Sequence, residues 1–111
     1  LLTQLSAAEL CKKLDSREVS AIEVAQAHLD RIVEHDSKLN AFLHVNPELT
    51  LELAQAAQKK LDEGSAEPLT GIPIALKDNM NFVGMPTTCA SKILGQFQPP
   101  FDAHISKRIR E

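Results

Sequence analysis

The sequence predicts an α/β protein seen from its helical, N-terminal side, and three features of it point that way. Two serine–glutamate capping boxes open helical stretches near the start. A β-type run from Ile72 to Lys77 follows three helical segments. An irregular, Gly/Pro/Thr-containing excursion then leads into a further helix. With 111 residues, 43% of them apolar, the chain makes one small domain or a piece of a larger one, and its core is modest.

Ser6-Ala-Ala-Glu9 and Ser20-Ala-Ile-Glu23 fit the S-x-x-E pattern, in which the serine oxygen accepts the N3 amide and the glutamate reaches back to the cap. The first helix is expected over Ala7 to Leu14, before the polar break Asp15-Ser16-Arg17. The second presents Ile22, Ala25, Leu29, Ile32 and Val33 as its apolar stripe, with Glu23, Asp30, Arg31 and Glu34 mostly elsewhere. Ala41 to Val45 is a brief β-compatible run. Asn46 then offers a cap and Pro47 an N1 residue for a third helix reaching about Asp62 and stopping at Glu63-Gly64-Ser65.

A linker from Ser65 to Gly71 leads into the strand Ile72 to Lys77. Alternation there sets Ile72, Ile74 and Leu76 on one face and Pro73, Ala75 and Lys77 on the other. Gly84, Met85-Pro86 and Thr87-Thr88 break the chain into loop, with a short helical turn expected at Ala90 to Leu94. Beyond Pro99-Pro100-Phe101, Asp102 is a good N-cap for a helix carrying Ala103, Ile105 and Ile109. Residues 1–64 are thus mainly helical, and 71–111 hold a strand, a loop and the start of a helix. The start at Leu1 and a helical pattern still running at Glu111 lead us to expect a segment of a longer chain, incomplete as a fold.

Charge and cysteine usage exclude several classes. Residues 1–70 carry 7 basic and 12 acidic side chains, and residues 71–111 carry 5 basic and 3 acidic ones, so no strongly basic face for direct nucleic-acid binding is expected. Cys11 and Cys89 lie in unrelated segments without metal spacing and read as thiols in a reducing cytoplasm, with no metal site. No apolar run approaches the roughly 20 residues of a membrane span.

Among residues able to do chemistry, Lys77 stands out because it ends an apolar strand on a face of small side chains. An amine that accepts a proton near neutral pH needs its ordinary pKa of about 10.4 lowered by roughly 2–3 units. Burial without a carboxylate partner, or a neighbouring cation, can do that. The commoner role of such a lysine is to reach solvent or pair with an acid, for which Asp78 is the obvious candidate, although neighbours in a strand point to opposite faces. Cys89 reads as a buried structural thiol rather than a nucleophile, since His28, His35, His44 and His104 form no Cys/His signature with it. His28 and His35 are separated by about 10.5 Å of helical rise, too far for one metal ion. Thr87 to Lys92 is a polar loop whose hydroxyls commonly satisfy local backbone, and no G-x-S-x-G frames Ser91.

"LTGIPIALKDNM", followed by "GMPTTCASKIL" and "PPFDA", resembles the N-terminal part of the amidase signature family. The upstream "REVSAIEVAQAHLDRIVEHDSKLNAF" resembles that family's opening helices, so the similarity covers nearly the whole chain. "TTCASKIL" is closest to the members that hydrolyse glutamine within a tRNA-dependent amidotransferase. The resemblance implies a mixed sheet whose first strands lie here, and a Ser/cis-Ser/Lys triad whose lysine matches Lys77. It also implies glutamine as the ammonia source and B and C partner subunits. Misacylated tRNA would be reached through a partner, ATP and Mg would be used in the partner subunit with no cofactor in this chain, and the location would be cytoplasmic or organellar. The Gly/Ser-rich stretch that holds both family serines has no counterpart before Glu111, and neither Ser91 nor Ser106 stands in its context. The segment alone is therefore expected to be inactive. The alternatives are another amide hydrolase of the family and a non-catalytic truncated domain acting as a docking surface.

Overall fold

The computed structural model describes residues 1–111. It contains a short 3-10 turn, Leu2–Gln4, and four helices: α1 (Ala7–Asp15), α2 (Ala21–Leu39), α3 (Pro47–Glu63) and α4 (His104–Arg110). The chain forms two compact units, one of Leu1–Asn40 with Pro47–Ile74 and the other of Ala41–Asn46 with Ala75–Glu111. No helix is long and apolar enough to cross a membrane.

In the first unit both capping boxes are complete. The Ser6 hydroxyl accepts the Glu9 N–H at 3.3 Å while Glu9 accepts the Ser6 N–H at 2.8 Å, and Ser20 and Glu23 repeat this at 3.1 and 2.8 Å. These bonds hold the Glu9 and Glu23 carboxyls below the usual carboxylate range, the backbone bond being the larger cause and the serine hydroxyl the next. Asn40, in left-handed backbone at φ 51°, closes α2 with its N–H on the Asp36 carbonyl.

Leu10, Leu14, Ala21 and Val24 form the buried core, with Leu2, Leu5, Val19, Ala57, Leu61 and Ile72 packed around it. The buried stripe of α2 is Ala21, Val24, Ala25 and Leu29, whereas Val33 is 81% exposed. The stripe expected from the sequence therefore omitted its centre, Val24, and included a residue rotated off it. From α3, the Gln58 side-chain oxygen accepts the Ala21 N–H at 2.8 Å, satisfying one of the free amides at the start of α2. Gly71 turns at φ +88° against this core: a Cβ there would stand 3.1 Å from the Ala21 Cβ and 3.2 Å from Leu14 Cδ1. Only glycine combines that backbone with that approach.

The second unit is organised around Phe82, which is buried. The Arg110 guanidinium lies 3.8 Å from the centre of its ring. Arg110 Nε donates to Asp102 Oδ2 at 2.7 Å, a second Arg110 N–H reaches the Val83 carbonyl, and Asp102 Oδ1 accepts the Val83 N–H at 2.6 Å.

Several expectations are corrected here. Asp102 does not cap the last helix: its two oxygens hold Val83 and Arg110, and the N-cap of α4 is Ala103, with no side-chain bond. Ala90 to Leu94 falls in successive four-residue turns, with Ser91 N–H on the Thr88 carbonyl and Leu94 N–H on the Ser91 carbonyl, rather than in a helical turn. Above all, the α/β expectation is met only in its helical part. Neither Ile72–Lys77 nor Ala41–Val45 belongs to a sheet, because a strand exists through its ladder and no second extended segment here supplies one. Ile74, half exposed at 51%, has no covering layer, although Ile72 of the same run packs against the core.

Candidate active site

The apolar run ends in a turn. The Lys77 carbonyl accepts the Met80 N–H at 3.0 Å, and the Lys77 side chain is exposed, with its amine in no ion pair. The expected partnership with Asp78 does not form, because Asp78 is engaged elsewhere. Its Oδ1 accepts the Thr88 N–H at 2.9 Å, and its Oδ2 accepts both the Thr88 hydroxyl and the Ala90 N–H, the latter at 3.1 Å. Its main-chain carbonyl accepts the Cys89 N–H at 2.8 Å. One residue thus gathers every main-chain N–H of a three-residue loop, and the threonine hydroxyl with them.

The electrostatics follow from this geometry. Partial desolvation pushes the Asp78 carboxyl up, but the Thr88 hydroxyl, the Thr88 and Ala90 amides and the nearby His44 charge together outweigh it and hold the group below the usual carboxylate range. The loop it grips is an unusual one. Cys89 (φ 50°) and Ala90 (φ 55°) are consecutive left-handed residues without being glycine, a conformation that costs roughly 1–2 kcal/mol per residue. Such backbone persists where surrounding bonds over-determine it, as the four Asp78 contacts do here.

Around this clasp, Thr87 and Thr88 are each only 5% exposed, and the Thr87 N–H donates to the Phe97 carbonyl at 3.0 Å. The Thr88 hydroxyl therefore serves a carboxylate ten residues away rather than its own local backbone. Ser91 does behave locally, accepting the Ile93 N–H at 3.3 Å. Cys89 is exposed, not buried as the sequence suggested, because the left-handed turn carries it outward; Cys11 sends its thiol to the Pro68 carbonyl at 3.3 Å. His28 turns back onto its own helix, with Nδ1 2.8 Å from the Val24 carbonyl, and no cluster of His, Cys, Asp and Glu could hold a metal ion. Chemically the site offers an amine in no ion pair beside a carboxylate whose two oxygens accept three bonds from the 88–90 loop. The residue that sequence reasoning undervalued is Asp78; the signal was a Lys-Asp pair followed ten residues later by Thr-Thr, where short polar side chains can fold back onto it.

The amidase family model matches residues 23–111. The chain belongs to the amidase family. The matched span of this amidase chain takes in α2 from Glu23 onward, α3, Lys77, the Asp78 clasp and α4, and leaves α1 outside it. Among known proteins, it is 53% identical over 112 residues to the glutamyl-tRNA(Gln) amidotransferase A subunit of Corynebacterium diphtheriae, which takes in 99% of this chain and 23% of that protein. The proteins of the same name from Rhodococcus erythropolis and Nocardia farcinica are 52% and 51% identical over 111 residues, in each case across 98% of this chain and 23% of the relative. The amidase chain thus spans about a quarter of the length of these curated relatives and corresponds to their N-terminal part.

Proposed function

We propose that this amidase chain is the N-terminal part of the glutamine-hydrolysing subunit of a tRNA-dependent amidotransferase, and that Lys77 is the proton-handling member of a Ser/cis-Ser/Lys triad. The observation that carries the reading is identity at half of all positions, over practically the whole chain, to subunits of one name. The free Lys77 amine at the end of the 72–77 run supports the residue assignment.

In this mechanism the nucleophilic serine, supplied from outside these 111 residues, passes its proton through a second serine to the neutral Lys77 amine and attacks the glutamine carboxamide carbon. The Lys77 ammonium returns that proton to the departing nitrogen, so that ammonia leaves and an acyl-enzyme remains for water to cleave to glutamate. Ammonia then passes to the B subunit, where ATP and Mg serve the conversion of Glu-tRNA(Gln) or Asp-tRNA(Asn) to the amide form, with the C subunit completing the assembly. Ile72–Lys77 becomes a strand of the family's mixed sheet once a neighbouring strand pairs with it.

The test is Lys77→Ala in the full-length protein, in complex with its partners. Glutamine-dependent ammonia release falls by about a hundredfold or more, while the assembly elutes unchanged on size exclusion. Near wild-type release from that variant defeats the assignment. The 111-residue chain alone, lacking both serines, shows no glutaminase activity above its own Lys77→Ala control.

A further inference from the structure

We propose that Asp78 is a positioning residue of the amide-hydrolysing site: its side-chain and main-chain oxygens bind the 88–90 loop and the Lys77 turn into one body, and so set where the Lys77 amine points without pairing with it. Resting on the assignment of Lys77 above, this extends the site from one residue to a two-segment clasp.

Asp78 and the loop meet at four points: Thr88 N–H on Oδ1 at 2.9 Å, Thr88 hydroxyl and Ala90 N–H on Oδ2, and Cys89 N–H on the main-chain carbonyl at 2.8 Å. Lys77 is covalently next to the gripped residue, and its own carbonyl is held by the Met80 N–H. The peptide that follows Lys77 is therefore held at its carbonyl and at the residue it joins. Displacements of about 1 Å in a reacting group can cost on the order of a hundredfold in rate, so a clasp at this point acts directly on catalysis.

The chemistry requires a carboxylate here rather than an amide. Donors approach both oxygens, so an asparagine in either amide orientation turns its NH2 against at least one N–H or O–H. The same engagement separates Asp78 from its neighbour. A carboxylate paired with the amine would favour the charged ammonium and oppose its use as a base, whereas one whose oxygens hold the loop shapes the site without an ion pair to the amine.

The experiment measures glutamine hydrolysis for the full-length protein in its complex, with Asp78→Asn, Thr88→Val, Thr88→Ser, the Asp78→Asn/Thr88→Val double variant and Lys77→Ala. Asp78→Asn is expected to lower kcat by about tenfold to a hundredfold with little change in KM. Thr88→Val gives a smaller loss that Thr88→Ser largely restores. The double variant is no worse than Asp78→Asn, because both changes open the same clasp.

An Asp78→Asn enzyme within about twofold of wild type, where surface changes fall, overturns the proposal. So does a fully additive double variant. If Asp78→Asn fails to assemble, the Thr88 pair decides: equal activities of Thr88→Val and Thr88→Ser overturn it. Lys77→Ala separates the two ideas, since activity surviving that change defeats the lysine assignment, whereas an inactive Lys77→Ala beside a normal Asp78→Asn defeats only the clasp.

Discussion

Replacing Gly71 with alanine tests how tightly the segment leading to Lys77 is seated. Gly71 holds φ +88°, and an added Cβ meets Ala21 Cβ at 3.1 Å, Leu14 Cδ1 at 3.2 Å and Leu61 Cδ1 at 3.5 Å. Leu14 and Ala21 belong to the buried core, so the neighbours cannot simply swing into solvent. Gly64 is the internal control: it has a similar φ of +72°, but nothing lies within 4 Å of the position its Cβ would take. Both alanines carry the left-handed backbone cost of roughly 1–2 kcal/mol, offset by about 0.4–1 kcal/mol from the stiffer unfolded chain. Only Gly71→Ala adds overpacking, about 1–3 kcal/mol in a filled core. With a urea slope of about 1–3 kcal/mol per M, the unfolding midpoint of Gly71→Ala should lie roughly 1 M below that of Gly64→Ala. Urea titration of the 111-residue variants, followed by helical circular dichroism, reads this difference. Coincident midpoints would refute the packing of Gly71 against Ala21 and Leu14.

Ser20→Ala removes the hydroxyl that accepts the Glu23 N–H, and should destabilise the first unit by about 0.5–2 kcal/mol, typical of a lost N-cap, seen as a lower urea midpoint; Ser20→Asp should restore most of it. Arg110→Lys cannot reproduce the guanidinium contact with Phe82, worth about 0.5–1 kcal/mol at an open site, or the paired bonds to Asp102 and the Val83 carbonyl. It should therefore speed limited trypsin cleavage after Lys107, and an unchanged cleavage rate would argue against the network. For pH, Asp78 has a carboxyl lowered by folding, so its contribution is complete above the ordinary aspartate value near 3.9 and disappears as pH falls through the lower folded value. The Thr88 and Ala90 amide resonances should report that release with a midpoint below about 3.9, and a midpoint above it would contradict the clasp.

Much of the helical architecture was legible because it is written locally. A capping box joins residues three positions apart, and both boxes opened helices where Ser6 and Ser20 indicated. Asn46-Pro47 likewise placed the start of α3, whose first residue is Pro47. The errors fall where the outcome depends on distant partners. Asp102 looks like an N-cap from its neighbours alone; Val83 and Arg110, 19 and 8 residues away, take its oxygens instead. Ile72–Lys77 has the composition of a strand, but composition cannot supply the second strand that a ladder needs.

Lys77 and Asp78 divide along the same line. Alternation in a strand would send neighbouring side chains to opposite faces, an argument against the pair that their charges invite. It cannot say what Asp78 holds instead. The answer is the Thr88–Ala90 loop, and once that loop is in place two otherwise odd features share one cause. Cys89, a residue type usually buried, is exposed because its backbone is left-handed. Cys89 and Ala90 tolerate that backbone because Asp78 receives the Thr88, Cys89 and Ala90 amides together. A carboxylate committed to loop donors holds the loop rather than the amine, so the amine beside it is kept in place by covalent geometry rather than by an ion pair.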